Sequence, residues 1–144
     1  MKIKLIKFNN FYKTPKRAHY NDAGLDLYTP DDFTIPSHDT ITIPLGFGIE
    51  LPDGLLATVI SRSSAASRGL LCHMSPVDSG YNGQIHLILT NLNNYDVDIS
   101  KGERVGQLVV MPFIPVDLVT TLGGSRESKN LGSTGIWVPG GGEI

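Results

Sequence analysis

The stretch Ser75-Pro76-Val77-Asp78-Ser79-Gly80-Tyr81-Asn82-Gly83-Gln84 places one carboxylate and one aromatic ring on a short loop. Pro76, Gly80 and Gly83 punctuate it, which predicts a turn with extended chain on both sides. Ile85 to Thr90 follows as a strand that points back into the protein. A hairpin of this kind holds a reacting group at the end of a rigid element. The plainer possibility is that Asp78 bonds its own backbone in the turn and Tyr81 is a rim aromatic.

Four other stretches carry residues suited to chemistry. In Ala23-Gly24-Leu25-Asp26-Leu27 an acid sits in an apolar extended piece, which is costly unless the acid is paired or hydrogen-bonded. It is either a salt-bridge partner or a group that holds a metal through water. Ser61-Arg62-Ser63-Ser64 falls at a strand end and the start of a possible helical turn. There free backbone N–H groups, a forked guanidinium and hydroxyls suit an anion, and an ordinary N-cap with a solvated arginine is the alternative. In Gly102-Glu103-Arg104-Val105-Gly106-Gln107-Leu108 a turn enters a strand that carries the polar Gln107, facing either a ligand or solvent. Arg126, followed by Leu131-Gly132-Ser133-Thr134-Gly135, makes either a flexible phosphate-contacting loop or a tail without structure. Cys72-His73 is a poor metal pair, because neighbouring strand side chains point to opposite faces. No Ser/His/Asp triad and no Walker-type loop is found.

The elements that must position these groups are short strands. Residues 2–8 alternate lysine with apolar groups. Leu25–Leu27, Phe33–Ile35, Ile41–Ile43, Phe47–Leu51 and Leu55–Ile60 read as strands between Pro, Gly and Asp punctuation. Leu70–Met74, Ile85–Thr90, Val97–Ile99, Val105–Ile114 and Val116–Thr121 continue the pattern. Ser61 to Arg68 is the single helix candidate. Many short strands and almost no helix predict an all-β sandwich or barrel. Seven of the 16 glycines lie between Gly123 and Gly142. The expected organisation is therefore a β domain over 1–121 and a Gly-rich arm over 122–144 that has no core of its own and is ordered by a ligand or partner chain.

The chain has 144 residues, 40% apolar and 18% charged, so a single globular core is affordable in length and composition. A net charge of −2 gives no general attraction to nucleic acid, so any phosphate binding must be local. One cysteine excludes an internal disulfide framework and favours a reducing, cytoplasmic setting. No apolar run reaches membrane-spanning length, and the lysine-interrupted N-terminus does not read as a signal peptide.

The five stretches, in this order on an all-β frame, resemble the five motifs of the trimeric all-β dUTPase family (deoxyuridine triphosphate nucleotidohydrolase). The resemblance runs from residue 23 to 135. It implies a distorted jelly-roll or β-sandwich-like barrel with a flexible C-terminal arm, assembled as a homotrimer with shared active sites. It implies hydrolysis of dUTP to dUMP and pyrophosphate with Mg²⁺. Asp78 would activate the water that attacks the α-phosphorus, and Tyr81 would lie against the deoxyribose and exclude a 2′-hydroxyl. Arg62, Ser63, Ser64 and Gln107 would hold phosphate oxygens, and Asp26 the Mg²⁺ through water. Backbone groups near Gly80 and Gly83 would read uracil. Arg126, Leu131, Gly132, Ser133 and Thr134 would close over the nucleotide.

The chain also departs from the family pattern. Ser61 stands where proline is usual and Ser64 where glycine is. Gly80 replaces an acid, Asn82 an arginine, Leu131 a phenylalanine, and Cys72 an asparagine six positions before the acid. The approach from Arg62 to Asp78 is about three residues short. The related dCTP deaminase family calls for a glutamate near the base, and Glu50, Glu103, Glu127 and Glu143 all lie outside the hairpin. A regulatory protein partner that responds to dUTP through the arm is a further expectation.

Overall fold

A computed structural model describes residues 1–123 and two short strands near the C-terminus, Trp137–Val138 and Gly142–Glu143. The chain divides into two units, Met1–Ile114 and Pro115–Ile144. The first is an all-β sandwich of the jelly-roll type, and every strand pair in it is antiparallel.

Four strands form the larger sheet, in the order β2 (Gly24–Tyr28), β11 (Arg104–Pro112), β6 (Leu55–Ser61), β8 (Ser75–Val77). Three form a second sheet, in the order β4 (Thr40–Pro44), β9 (His86–Asn91), β7 (Leu70–Cys72). Two-stranded ladders complete the unit: β1 (Lys4–Lys7) with β5 (Phe47–Glu50), and β3 (Phe33–Ile35) with β10 (Val97–Ile99). Strand alternation in β9 sends Leu87, Leu89 and Asn91 inward, where they meet Leu27, Val59 and Leu108 of the larger sheet in one buried cluster. The side-chain amide of fully buried Asn91 donates to Ile35 O at 3.0 Å and Tyr95 O at 2.7 Å. A buried amide without those acceptors would cost about 1–3 kcal/mol.

The helix candidate is present as one turn, α1 (Ser63–Ser67), with Arg62 as its N-cap. A helix this short does not stand alone in water. It is held by burial of Ala65 and stopped by Gly69 at φ 76°.

Three sequence expectations change. Val116–Thr121 forms no strand: it is coil, and no strand of the chain pairs with it among the described residues. In the C-terminal segment, expected to hold no strand of its own, β12 (Trp137–Val138) pairs with β13 (Gly142–Glu143). The segment carrying Asp78 and Tyr81 is not a hairpin. β8 belongs to the larger sheet and β9 to the other, so residues 78–85 cross from one sheet to the other.

That crossing is tied down at its far end. Ile85 N donates to Phe47 O at 2.8 Å, and Leu45 N to Ile85 O at 3.0 Å. Gln84 Oε1 accepts from Gly46 N at 3.0 Å and from Asn10 Nδ2 at 3.2 Å. Gly48 of β5 lies so close beneath the loop that a Cβ there would overlap Gly83 O and stand 3.0 Å from Asn82 O. Both neighbours are backbone, which cannot swing aside. Gly48→Ala is therefore expected to cost about 1–3 kcal/mol, read as a lowered midpoint with unchanged slope in urea unfolding.

Candidate active site

β2 brings the first chemical group into place. Asp26 is 5% exposed, in the middle of that strand. Its backbone N–H donates to Lys16 O at 2.8 Å. Its two carboxylate oxygens go to different arginines: Oδ1 lies 3.1 Å from Arg62 Nε, and Oδ2 3.1 Å from Arg104 Nη1. Arg62 also donates through Nη1 to Arg104 O at 3.3 Å. The acid in the apolar strand is thus paired, which offsets the cost of its burial.

Regular alternation would put Arg104 and Gln107, three positions apart, on opposite faces of β11. The ladder with β2 is irregular here: Arg104 pairs Tyr28, Gly106 pairs Leu27 and Gln107 pairs Asp26. Val105 is the extra residue of a β-bulge, and it is buried. The bulge resets the alternation, so Arg104 and Gln107 both arrive on the face that carries Asp26. Gln107 Nε2 donates to Ser61 O at 3.2 Å.

Beside this cluster is a polar cleft of about 370 Å³ lined by Arg62, Ser64, Arg68, Glu103 and Arg104. Arg68 forms an ion pair with Glu103 and donates to Asp98 O at 3.2 Å. Glu103 Oε2 accepts from Ser100 N at 3.0 Å. Three arginines against Asp26 and Glu103 leave the cleft locally positive in a chain of net charge −2. Ser63 and Ser64 are exposed in the first turn of α1, where backbone N–H groups have no intrahelical acceptor. The arrangement suits a multiply charged anion.

The second group lies on the crossing loop. Asp78 is exposed, and its carbonyl accepts from Tyr81 N at 3.0 Å, closing the turn. Tyr81 donates its hydroxyl to Gln84 O at 2.7 Å. A Cβ on Gly83 would stand 2.7 Å from that hydroxyl, so glycine is needed for the ring to lie over the turn. Gly80 has open space around it. An open cleft of about 310 Å³ lies here, lined by Tyr81, Gln84, His86, Thr42, Ile88 and Pro76 among others. Cys72 is not among its lining residues. It is buried, and burial pushes its thiol up from 9.0 to about 11.

The structure therefore brings together Asp26, Arg62 and Gln107 of the expected site, with Ser63 and Ser64 beside them. It holds Asp78, Gly80, Tyr81 and Gly83 together elsewhere. No hydrogen bond or ion pair among the described residues joins the two groups. Arg126, Leu131, Gly132, Ser133 and Thr134 lie outside the described residues. Sequence reasoning gave no role to Arg104, Arg68 or Gln84. Arg104 was hidden by the bulge, and the other two act through partners about 35 to 40 positions away.

Fold and site together define an all-β domain with a cationic cleft and a separate, aromatic-lined one. The family model described as dUTPase matches residues 11–135. The chain is 34% identical over 142 residues to the deoxyuridine 5'-triphosphate nucleotidohydrolase of Gloeothece citriformis, covering 94% of this chain and 98% of that one. It is 36% identical over 141 residues to the enzyme of the same name from Clostridium tetani, covering 94% and 96%. It also matches, at 37% identity over 126 residues, a stretch making up 11% of the Pol polyprotein of an ovine maedi visna related virus. Among solved structures, the dUTPase of Staphylococcus bacteriophage 80alpha with dUpNHpp superposes with a TM-score of 0.80 at 21% identity, over 94% of this chain and 99% of that one. The dUTPase of phage phi11 of S. aureus, described with a structural Mg(II) ion, gives 0.78 at 18% identity, over 87% and 99%. The chain belongs to the dUTPase family.

The raised thiol gives a prediction. The folded state keeps the Cys72 proton to higher pH than the unfolded state, so stability is expected to fall as pH rises from about 9 toward about 11. Cys72→Ser, or Cys72→Ala should the hydroxyl be poorly tolerated, should flatten that slope in thermal melts across the range. At neutral pH the native thiol should react with a disulfide reagent only slowly, and at once in denaturant.

Proposed function

We propose that the chain hydrolyses dUTP to dUMP and pyrophosphate. The observation that carries this reading is the convergence of Asp26, Arg62, Arg104 and Gln107, from three separate sequence motifs, on one cationic cleft. In this reading Arg62, Ser63, Ser64 and Gln107 donate to phosphate oxygens. Asp78 holds and deprotonates the attacking water, a task that suits an exposed carboxylate on an anchored loop. Tyr81 covers the sugar. Backbone groups of residues 80–84 read the edge of the base, since Cys72 is buried. Arg126, Leu131, Gly132, Ser133 and Thr134 close the site and exclude water.

Mg²⁺ is the cofactor of this reading. Both oxygens of Asp26 already accept from arginine, and no group of three metal-binding side chains occurs among the described residues. That donor set fits an ion that takes its inner ligands from phosphate and water. Asp26 would then hold the ion's water shell, and bound Mg²⁺ would neutralise charge on the phosphates.

The assembly is proposed to be a homotrimer. Asp78 and Tyr81 make no bond to the cationic cleft of their own chain, as expected if each site draws on more than one chain. Ile114, Val116, Leu118, Val119 and Leu122 are exposed, Leu118 at 96%. So apolar an extended stretch calls for a covering surface, which a second copy would supply, while the residues after it form the arm. The proposed setting is the cytoplasm, where a lone cysteine stays reduced.

Asp78→Asn is expected to lower kcat by at least about a thousandfold while the affinity for dUpNHpp stays within about threefold. Pyrophosphate release and calorimetry read the two quantities, and retained turnover would sink the role of Asp78. Tyr81→Ala should bring the kcat/KM values for dUTP and UTP at least about tenfold closer together; an unchanged ratio would place sugar selection elsewhere.

A further inference from the structure

Gly24 faces the Gln107 side chain at very close range. A Cβ built on Gly24 would overlap Gln107 Oε1 and lie 2.8 Å from its Cδ. Backbone freedom does not explain the glycine, because Gly24 is not among the glycines with positive φ. On the other side Gln107 Nε2 donates to Ser61 O. The amide is thus seated between β2 and β6, oxygen toward Gly24 and nitrogen toward Ser61.

A primary amide has two N–H donors on nitrogen and only acceptor capacity on oxygen. Ser61 O takes one donor and leaves the other free. Turned over, the group would present its oxygen, which repels a phosphate oxygen. We infer that Gly24 is a positioning residue for the reaction. The room it leaves seats the Gln107 oxygen against β2 and keeps the free N–H for the substrate's phosphates. This rests on the phosphate role proposed above for Gln107. Any side chain at position 24 displaces the far end of a flexible residue rather than backbone, so the effect falls on the site before the fold.

The test is a double-mutant cycle on the full-length protein. It reads the dissociation constant of dUpNHpp and the inhibition constant of deoxyuridine, which has no phosphate. Gln107→Ala is expected to weaken dUpNHpp about tenfold and deoxyuridine by less than about twofold. Gly24→Ala should do the same, and should add less than about twofold in the Gln107→Ala background. Equal weakening by Gly24→Ala in both backgrounds would overturn the inference, because the effect would not pass through Gln107. So would unchanged dUpNHpp affinity in Gly24→Ala beside a weakened Gln107→Ala. Unchanged affinity in Gln107→Ala would overturn the phosphate role itself and the inference with it. Should Gly24→Ala fail to fold, the side-chain amide protons of Gln107 in the unaltered protein decide. One is expected to be protected from exchange, and the other to shift when dUpNHpp is added. Equal exchange of both would overturn the inference.

Discussion

One carboxylate shared by two guanidinium groups holds the cationic half of this molecule together. Arg62 stands at the start of a one-turn helix and Arg104 at the start of a strand, and like charges so placed would drift apart into solvent. Asp26, almost fully buried in β2, gives each of them one oxygen at 3.1 Å. Exposed ion pairs contribute little, but this acid is enclosed, and its hydrogen bonds are charge-assisted. The interaction fixes α1 relative to β11 and leaves a net positive cleft whose other wall is the Arg68–Glu103 pair. The ordering of these long side chains is accomplished before any substrate arrives.

The crossing loop is built on a different principle. It carries its groups outward, so it cannot be held by burial of those groups. It is held by main-chain bonds at Ile85 and by the Gln84 amide, with glycines at 48 and 83 permitting backbone and ring to approach closely. Each end belongs to a different sheet. The position of Asp78 therefore depends on how the two sheets are packed, and so on the shared core of Leu27, Val59, Leu87, Leu89 and Leu108.

Much of this is legible in the sequence. Period-two alternation locates the strands of the first unit, because half-buried strands must alternate. The five motifs name the family, and Asp26, Arg62 and Gln107 do converge. What the sequence conceals is non-local. The loop from Ser75 to Gln84 has every local mark of a hairpin, yet pairing partners are chosen by the whole sandwich. Val116–Thr121 has strand composition without a partner strand in its own chain. Arg104 was placed by alternation on the wrong face, and only the ladder with β2 reveals the irregularity. Gly24 and Gly48 are meaningful because of what lies against them, which no spacing discloses.

The bulge at Val105 gives the site an unusual genetic grammar. Which side of β11 Arg104 occupies is set by the number of residues between it and Gln107, not by the identity of either. A drift in side-chain type along that stretch leaves the phase intact. Loss of the one extra residue would carry a fully preserved arginine to the far side of the sheet. Lineages that elaborate this scaffold are thus free to vary the letters of the turn before β11, while its count is constrained as tightly as any functional side chain.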